Sequence, residues 1–196
     1  MDSGRFETFI DAIIAIMMTV MVLKIPQPET LSLSGLWGLR VMYLAYIISF
    51  IVIFSIWDHH RKLFNLIEEI DNQVIWMYSS LIFFITLVPY FTAWVAHEPF
   101  EALPELLFGL LFLIINILYI MSTGLAVRND THNHMIKDFS YDELFVLNLV
   151  LFIVGLILIF IGYPIAMLII CLITVITWNI IPIIKKTYHI GDNNGV

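Results

Sequence analysis

Apolar residues run along this chain in six long stretches separated by short polar breaks, at residues 9–25, 38–57, 74–96, 104–124, 144–162 and 164–184. Each is about 17 to 25 residues long, enough for a helix to cross a hydrocarbon core of about 30 Å. Lipid offers the backbone no hydrogen-bond partners, so a segment that crosses it singly must pair its N–H and C=O groups within itself. The pattern therefore predicts an all-α polytopic membrane protein of six transmembrane helices, with residues 1–196 forming a single six-helix unit. Pro104 and Pro164 fall at first-turn positions, where a missing N–H costs nothing. Pro26 stops the first helix, and Pro89 is expected to free the carbonyl of Ile85 and bend the third. No inverted repeat is visible.

Composition agrees. Hydrophobic residues make up 61% of the chain and charged residues 13%, against roughly 45–50% and about 25% in ordinary globular proteins. A mean hydropathy of +0.96 leaves no material for a separate soluble domain. A single cysteine, Cys171, rules out a disulfide scaffold, and the net charge of −7 argues against a nucleic-acid partner.

The first stretch is not expected to be a cleaved signal. Its leader carries Asp2 and Glu7 against Arg5, and Lys24 with Pro26 stands where small residues would mark a cleavage site. Arg5, Arg61, Lys62, Arg128, Lys137, Lys185 and Lys186 fall at one set of helix ends, Lys24 and Arg40 at the other. The excess of positive charge predicts that both termini are cytoplasmic. The outer connections, 26–37 and 97–103 among them, are short. Beyond residue 57, Leu63, Phe64, Ile67 and Ile70 keep a helical spacing, so the second helix is expected to continue past the membrane with one apolar face.

An ionisable residue inside a span is costly and marks a candidate site. Asp11 is the clear case, about one turn inside the first helix, at the depth of Trp57, His59, His60 and Arg61 on the second. It reads either as a clamp that fixes the first helix or as a carboxylate wetted by headgroups and favoured by the helix dipole. Phe9, Ile13, Ile16, Val20 and Leu23 form one stripe along the first helix, and Ala12, Ala15 and Thr19 a neighbouring stripe of small residues. The larger stripe is either core or lipid contact, or the lining of a narrow pore on an oligomer axis. The small one suits close helix packing.

Little else points to chemistry. His132 and His134, two residues apart with Asp130 and Asp138 nearby, do not share a helix face and fix no third ligand, so no metal site or cofactor is expected. Catalytic motifs are absent and the chain does not read as an enzyme. Cys171 reads as a small buried hydrophobe. Asn116, Asn148, Thr174, Thr177 and Asn179 suit interhelical hydrogen bonds better than a transport path.

Three motifs, taken together, resemble a known family. Arg5, Phe9, Ile10, Asp11 and Ala12, followed by Ile13 to Ile16 and Thr19, are similar to the R-x-x-x-F-S-D-[GA] signature of the transmembrane protein 175 family of endosomal and lysosomal potassium channels and their bacterial relatives. Trp57-Asp58-His59-His60-Arg61 with Phe64 resembles the Trp-x-x-His end of that family's second helix. Leu87-Val88-Pro89-Tyr90-Phe91-Thr92-Ala93-Trp94 resembles the proline-containing end of its third. The sequence departs from the pattern at Ile10 and Tyr78, where serine and asparagine are expected, and carries Ala12 where the family often has glycine.

The resemblance implies a potassium-permeable channel, built as a homotetramer in a bacterial inner membrane, with K+ and potentially other monovalent cations or protons as its passengers. It implies a pore lined by the first helices, with Ile16 at the narrowest point, Val20 and Leu23 further outward, and Thr19 and Ala15 beside them. Arg5, Phe9, Asp11, Trp57, His59, His60 and Arg61 then form a network that holds the pore helix. One helix per subunit cannot enclose a pore, so closed symmetry is required. An isoleucine ring offers no oxygen to replace an ion's water, so selection rests on the size and dryness of the constriction. The competing readings are a secondary transporter and a scaffolding membrane protein.

Overall fold

The computed structural model describes residues 3–65, 70–129 and 141–193, excepting the side chains within 127–129, 141–144 and 180–193. The described residues form seven helices: α1 (Ser3–Val22), α2 (Leu33–Gly38), α3 (Arg40–Phe64), α4 (Asn72–His97), α5 (Ala102–Asn129), α6 (Tyr141–Ile161) and α7 (Ala166–Asn193). Six of them coincide with the predicted stretches, and several run further. α1 begins six residues before the apolar run and ends at Val22, and α3 continues to Phe64 with Leu63 and Phe64 buried. The connection at 26–37 is not a simple loop, because it contains most of the additional short helix α2. Ile67 and the His132–His134 segment lie outside the described residues.

By length and composition, α3, α4 and residues Ala102–Ala126 of α5 are each apolar enough to cross a membrane, and Phe145–Ile161 and Ala166–Asn179 add shorter apolar runs. α4 remains one helix through the buried Pro89. α6 ends on a Gly162-centred cap: Gly162 N–H donates to Ile159 O at 3.0 Å and Tyr163 N–H to Leu158 O at 2.9 Å. Its φ of +101° lies in a region that disfavours side chains, so glycine turns the chain there from α6 towards α7.

α4 packs most extensively against α5, α7 closes against α3, α5 and α6, and α1 rests on α3 and α4. Lipid is as apolar as leucine, so close packing and polar ties hold such a bundle together. Met167 is fully buried with its thioether beside Gly109 of α5 and Gly155 of α6, where a Cβ would collide with it. The polar ties are spread over the helix pairs. The Thr92 hydroxyl donates to Val88 O at 2.7 Å, which leaves Ser49 Oγ to donate to Thr92 Oγ1, joining α3 to α4. Asn148 Nδ2 reaches Asn116 Oδ1 between α6 and α5 at 3.4 Å, and Asn179 Nδ2 donates to Ser55 Oγ between α7 and α3 at 2.9 Å. Thr177 bonds back to Thr174 O in its own helix. The three asparagines therefore make two interhelical ties, each worth about 0.6–2 kcal/mol in a membrane.

Candidate functional site at the first helix

Successive side chains on α1 are 100° apart, so its surroundings sort its residues into two faces. Phe6, Ile10, Ile14 and Met21 are buried against α3 and α4. Arg5, Phe9, Ala12, Ala15, Ile16 and Thr19 occupy the opposite, exposed face, and Leu23, in the turn just beyond Val22, is exposed as well. Phe9 is 58% exposed, Ile16 53% and Leu23 79%. Ile13 and Val20 turn to a flank where both are half-buried. The large and small stripes distinguished in the sequence are thus halves of one surface. Ala12 and Ala15 bring no helix of this chain close, because both are exposed. Thr19 donates its hydroxyl to Ile16 O at 2.8 Å.

Because α1 begins at Ser3, Asp11 lies more than two turns inside the helix instead of the expected one, and there the fold supplies it with a partner. Trp57 Nε1 of α3 donates to Asp11 Oδ1 at 2.9 Å. The Arg61 guanidinium lies 5.4 Å from the Trp57 ring centre and pairs with Asp58 at 3.3 Å. Asp11, Trp57, Arg61 and Asp58 form a continuous chain, with the indole held between a carboxylate and a cation. A hydrogen bond to a charged group is worth about 1.5–3 kcal/mol. Burial, followed by the neighbouring Asp11 charge, holds the Glu7 carboxyl above its ordinary range, while Arg61 draws it back.

The two histidines part company, because adjacent helical positions cannot face the same neighbour. His60 is buried in an aromatic group, 4.2 Å from the Phe64 ring and 5.3 Å from the Tyr78 ring, with Phe6 of α1 edge-on to Tyr78 at 6.4 Å. Among the described residues neither His60 ring nitrogen has a hydrogen-bond partner. His59 faces the other way, stacked on Trp178 of α7 at 5.4 Å, with Tyr119 of α5 edge-on at 6.3 Å and Ser55 O 2.7 Å from Nδ1. The structure joins Asp11, Trp57 and Arg61, gives His60 a packing role under α1, and places His59 between α3, α5 and α7. Arg5 and Phe9 stand on the exposed face instead. Tyr78, where the family pattern carries asparagine, fills the aromatic group and is 1% exposed.

One acid was overlooked in the sequence. Glu105 has no exposed surface, and its Oε2 accepts the Leu168 N–H at 3.1 Å. It stands in the opening turn of α5 and caps α7 from that neighbouring helix, where its carboxyl oxygen meets N–H groups that the first turn of a helix leaves unpaired. The available signal was a lone carboxylate within the apolar run from Ala102 to Leu113. It resembled an ordinary first-turn acid after Pro104.

Comparison with known proteins gives consistent results. Residues 5–89 match the family described as "Endosomal/lysosomal potassium channel TMEM175". A Chryseobacterium sp. (strain P1-3) protein called a potassium channel is 30% identical over 138 residues, 70% of this chain and 72% of its own length. A Chamaesiphon minutus protein of the same designation is 35% identical over 102 residues, 49% of this chain and half of its own. The fold is that of the crystal structure of a lysosomal potassium-selective channel TMEM175 homolog from Chamaesiphon minutus, with a TM-score of 0.74, 24% identity, and coverage of 91% of this chain and 96% of that one.

Proposed function

The chain belongs to the transmembrane protein 175 family, and we propose that it is a potassium-permeable channel that passes K+ passively, uncoupled to any other solute. It works as a homotetramer in a bacterial inner membrane, with six spans per subunit and both termini cytoplasmic. It is not an enzyme, and its partners are the ion, the bilayer and its own copies.

The observation that carries this reading is the divided surface of α1. A helix anchored to α3 and α4 by Phe6, Ile10, Ile14 and Met21 leaves Ile16, Thr19 and Leu23 exposed. Four such faces around an axis enclose a narrow apolar path. Leu23, exposed just beyond Val22, and Ile16, at the centre of that face, form the constriction. Val20, on its flank, contributes less, and Ala15 leaves room beside the ring. Thr19 donates its hydroxyl proton to Ile16 O, which leaves the lone pairs of its oxygen available to a passing cation, whereas the Ile16 side chains themselves offer only hydrocarbon. Passage through such a ring requires partial dehydration, and selection is moderate. The Asp11–Trp57–Arg61 chain ties the pore helix to α3 about one turn before Ile16.

The test is K+ flux from liposomes containing the purified protein, with Na+ as competitor and Ile16→Asn as the variant. Uncoupled flux that rises in the variant with weaker K+ preference is expected. Flux that saturates and requires a second solute, or that ignores residue 16, overturns the proposal.

A further inference from the structure

We infer that α2 is a membrane-surface anchor, its Leu33, Leu36 and Trp37 face lying in the headgroup–acyl boundary of the bilayer at the end where α3 begins.

The local sequence builds α2 with two unlike faces. Leu33, Leu36 and Trp37 fall within a 100° arc at helical spacing, while Ser34, Gly35 and Gly38 lie outside it. The polar side is tied to its own approach: Thr30, Ser32 and Ser34 hydroxyls are linked at 2.9 and 2.8 Å, and Ser32 Oγ accepts the Gly35 N–H at 3.2 Å. A Cβ on Gly35 would run into the Thr30 carbonyl oxygen, so glycine is what lets the approach fold this closely. Among the described residues the apolar side is largely uncovered, with Leu36 45% exposed. Leu33 is 85% exposed and Trp37 71%, and α2 meets α3 only thinly.

Position decides what covers this face. Only Leu39 separates α2 from the membrane-spanning α3, so α2 is held at the depth where α3 enters the bilayer. The Arg40 guanidinium lies 5.9 Å from the Trp37 ring and donates to Trp37 O at 3.2 Å. An aromatic paired with a cation is suited to the headgroup level. The Ser49–Thr92 and Glu105–Leu168 bonds bring the end of α4 and the starts of α5 and α7 to this same end. Tyr90, Phe100 and Tyr163 are exposed there too, so lipid-facing aromatics continue around the bundle.

The experiment places a nitroxide at Leu33→Cys or Ser34→Cys in the full chain reconstituted in phosphatidylcholine–phosphatidylglycerol vesicles. Cys171 is buried, and the unmodified chain serves as the labelling control. Collision with oxygen relative to a water-soluble nickel chelate is expected to be several-fold higher at residue 33 than at 34. Equal ratios would put the face in water, and protection of residue 33 from both reagents would put it under protein, such as a second copy. Either result overturns the inference. An independent reading uses the native indole: lipid brominated just below the headgroup should quench less emission in Trp37→Phe than in the unmodified protein, and unchanged quenching would also overturn it.

Discussion

Glu105 and Leu168 are 63 residues apart in sequence, yet the carboxyl group of one accepts the N–H of the other, in the first turn of α7, at 3.1 Å, with no exposed surface on either residue. The bond ties α5 to α7 at the end where the chain turns out of α6. Glu105→Ala removes the acceptor from the first turn of α7 and is expected to cost about 1–2 kcal/mol, the usual penalty for losing a cap. Glu105→Gln keeps an acceptor oxygen and should recover most of it. Thermal unfolding of the three proteins in one detergent checks this, and equal loss in both variants would remove the capping role.

Asp11 and Trp57 should be energetically coupled. Trp57→Phe leaves a part-buried carboxylate without its donor, and Asp11→Ala leaves the indole without its acceptor. Each is expected to lower stability and to impair assembly or gating. A double-mutant cycle should return a coupling of about 1 kcal/mol or more. A coupling near zero, with normal assembly in both variants, would make the contact incidental.

Ile14 and Ile16 are two residues apart and predict opposite phenotypes. Ile14 is 1% exposed and Ile16 is 53% exposed. Ile14→Ala should destabilise the subunit by about 2–5 kcal/mol, as loss of a packed side chain does. Ile16→Ala should leave subunit stability nearly unchanged and alter ion flux. Melting curves paired with liposome flux separate the two effects, and a stability loss at Ile16 matching that at Ile14 would contradict the assigned faces.

Gly162 carries the turn between α6 and α7 at a φ of +101°. An L side chain there is strained by roughly 1–2 kcal/mol. Gly162→Ala is therefore expected to lower the unfolding midpoint even though, its chain neighbours aside, no atom of the described residues lies within 4 Å of the added Cβ. An unchanged midpoint would show that the turn relaxes without cost.

By itself the sequence determined the helices and the family. Long apolar runs in a chain this poor in charge can only become helices in lipid, because no other single segment satisfies its own backbone there. Arg5, Asp11, Trp57 and Pro89 are side chains whose identity and order carry the resemblance without coordinates. Asparagines at 116, 148 and 179 were legible as ties between helices, since a buried amide in lipid needs a partner.

Tertiary structure alone decided direction. Core-facing and lipid-facing positions of α1 are equally apolar, so hydropathy could not tell Ile14 from Ile16 or show that Val20 turns to a flank. It could not divide His59 from His60, whose surroundings differ because one residue step rotates a side chain by 100°. Nor could it identify Glu105 as the cap of α7 or form α2 within an apparent loop. Those outcomes depend on packing between residues distant in sequence, and in the case of α2 on six residues too few to show a period. Local pattern fixes which segments become helices; only contact between segments fixes which way they face.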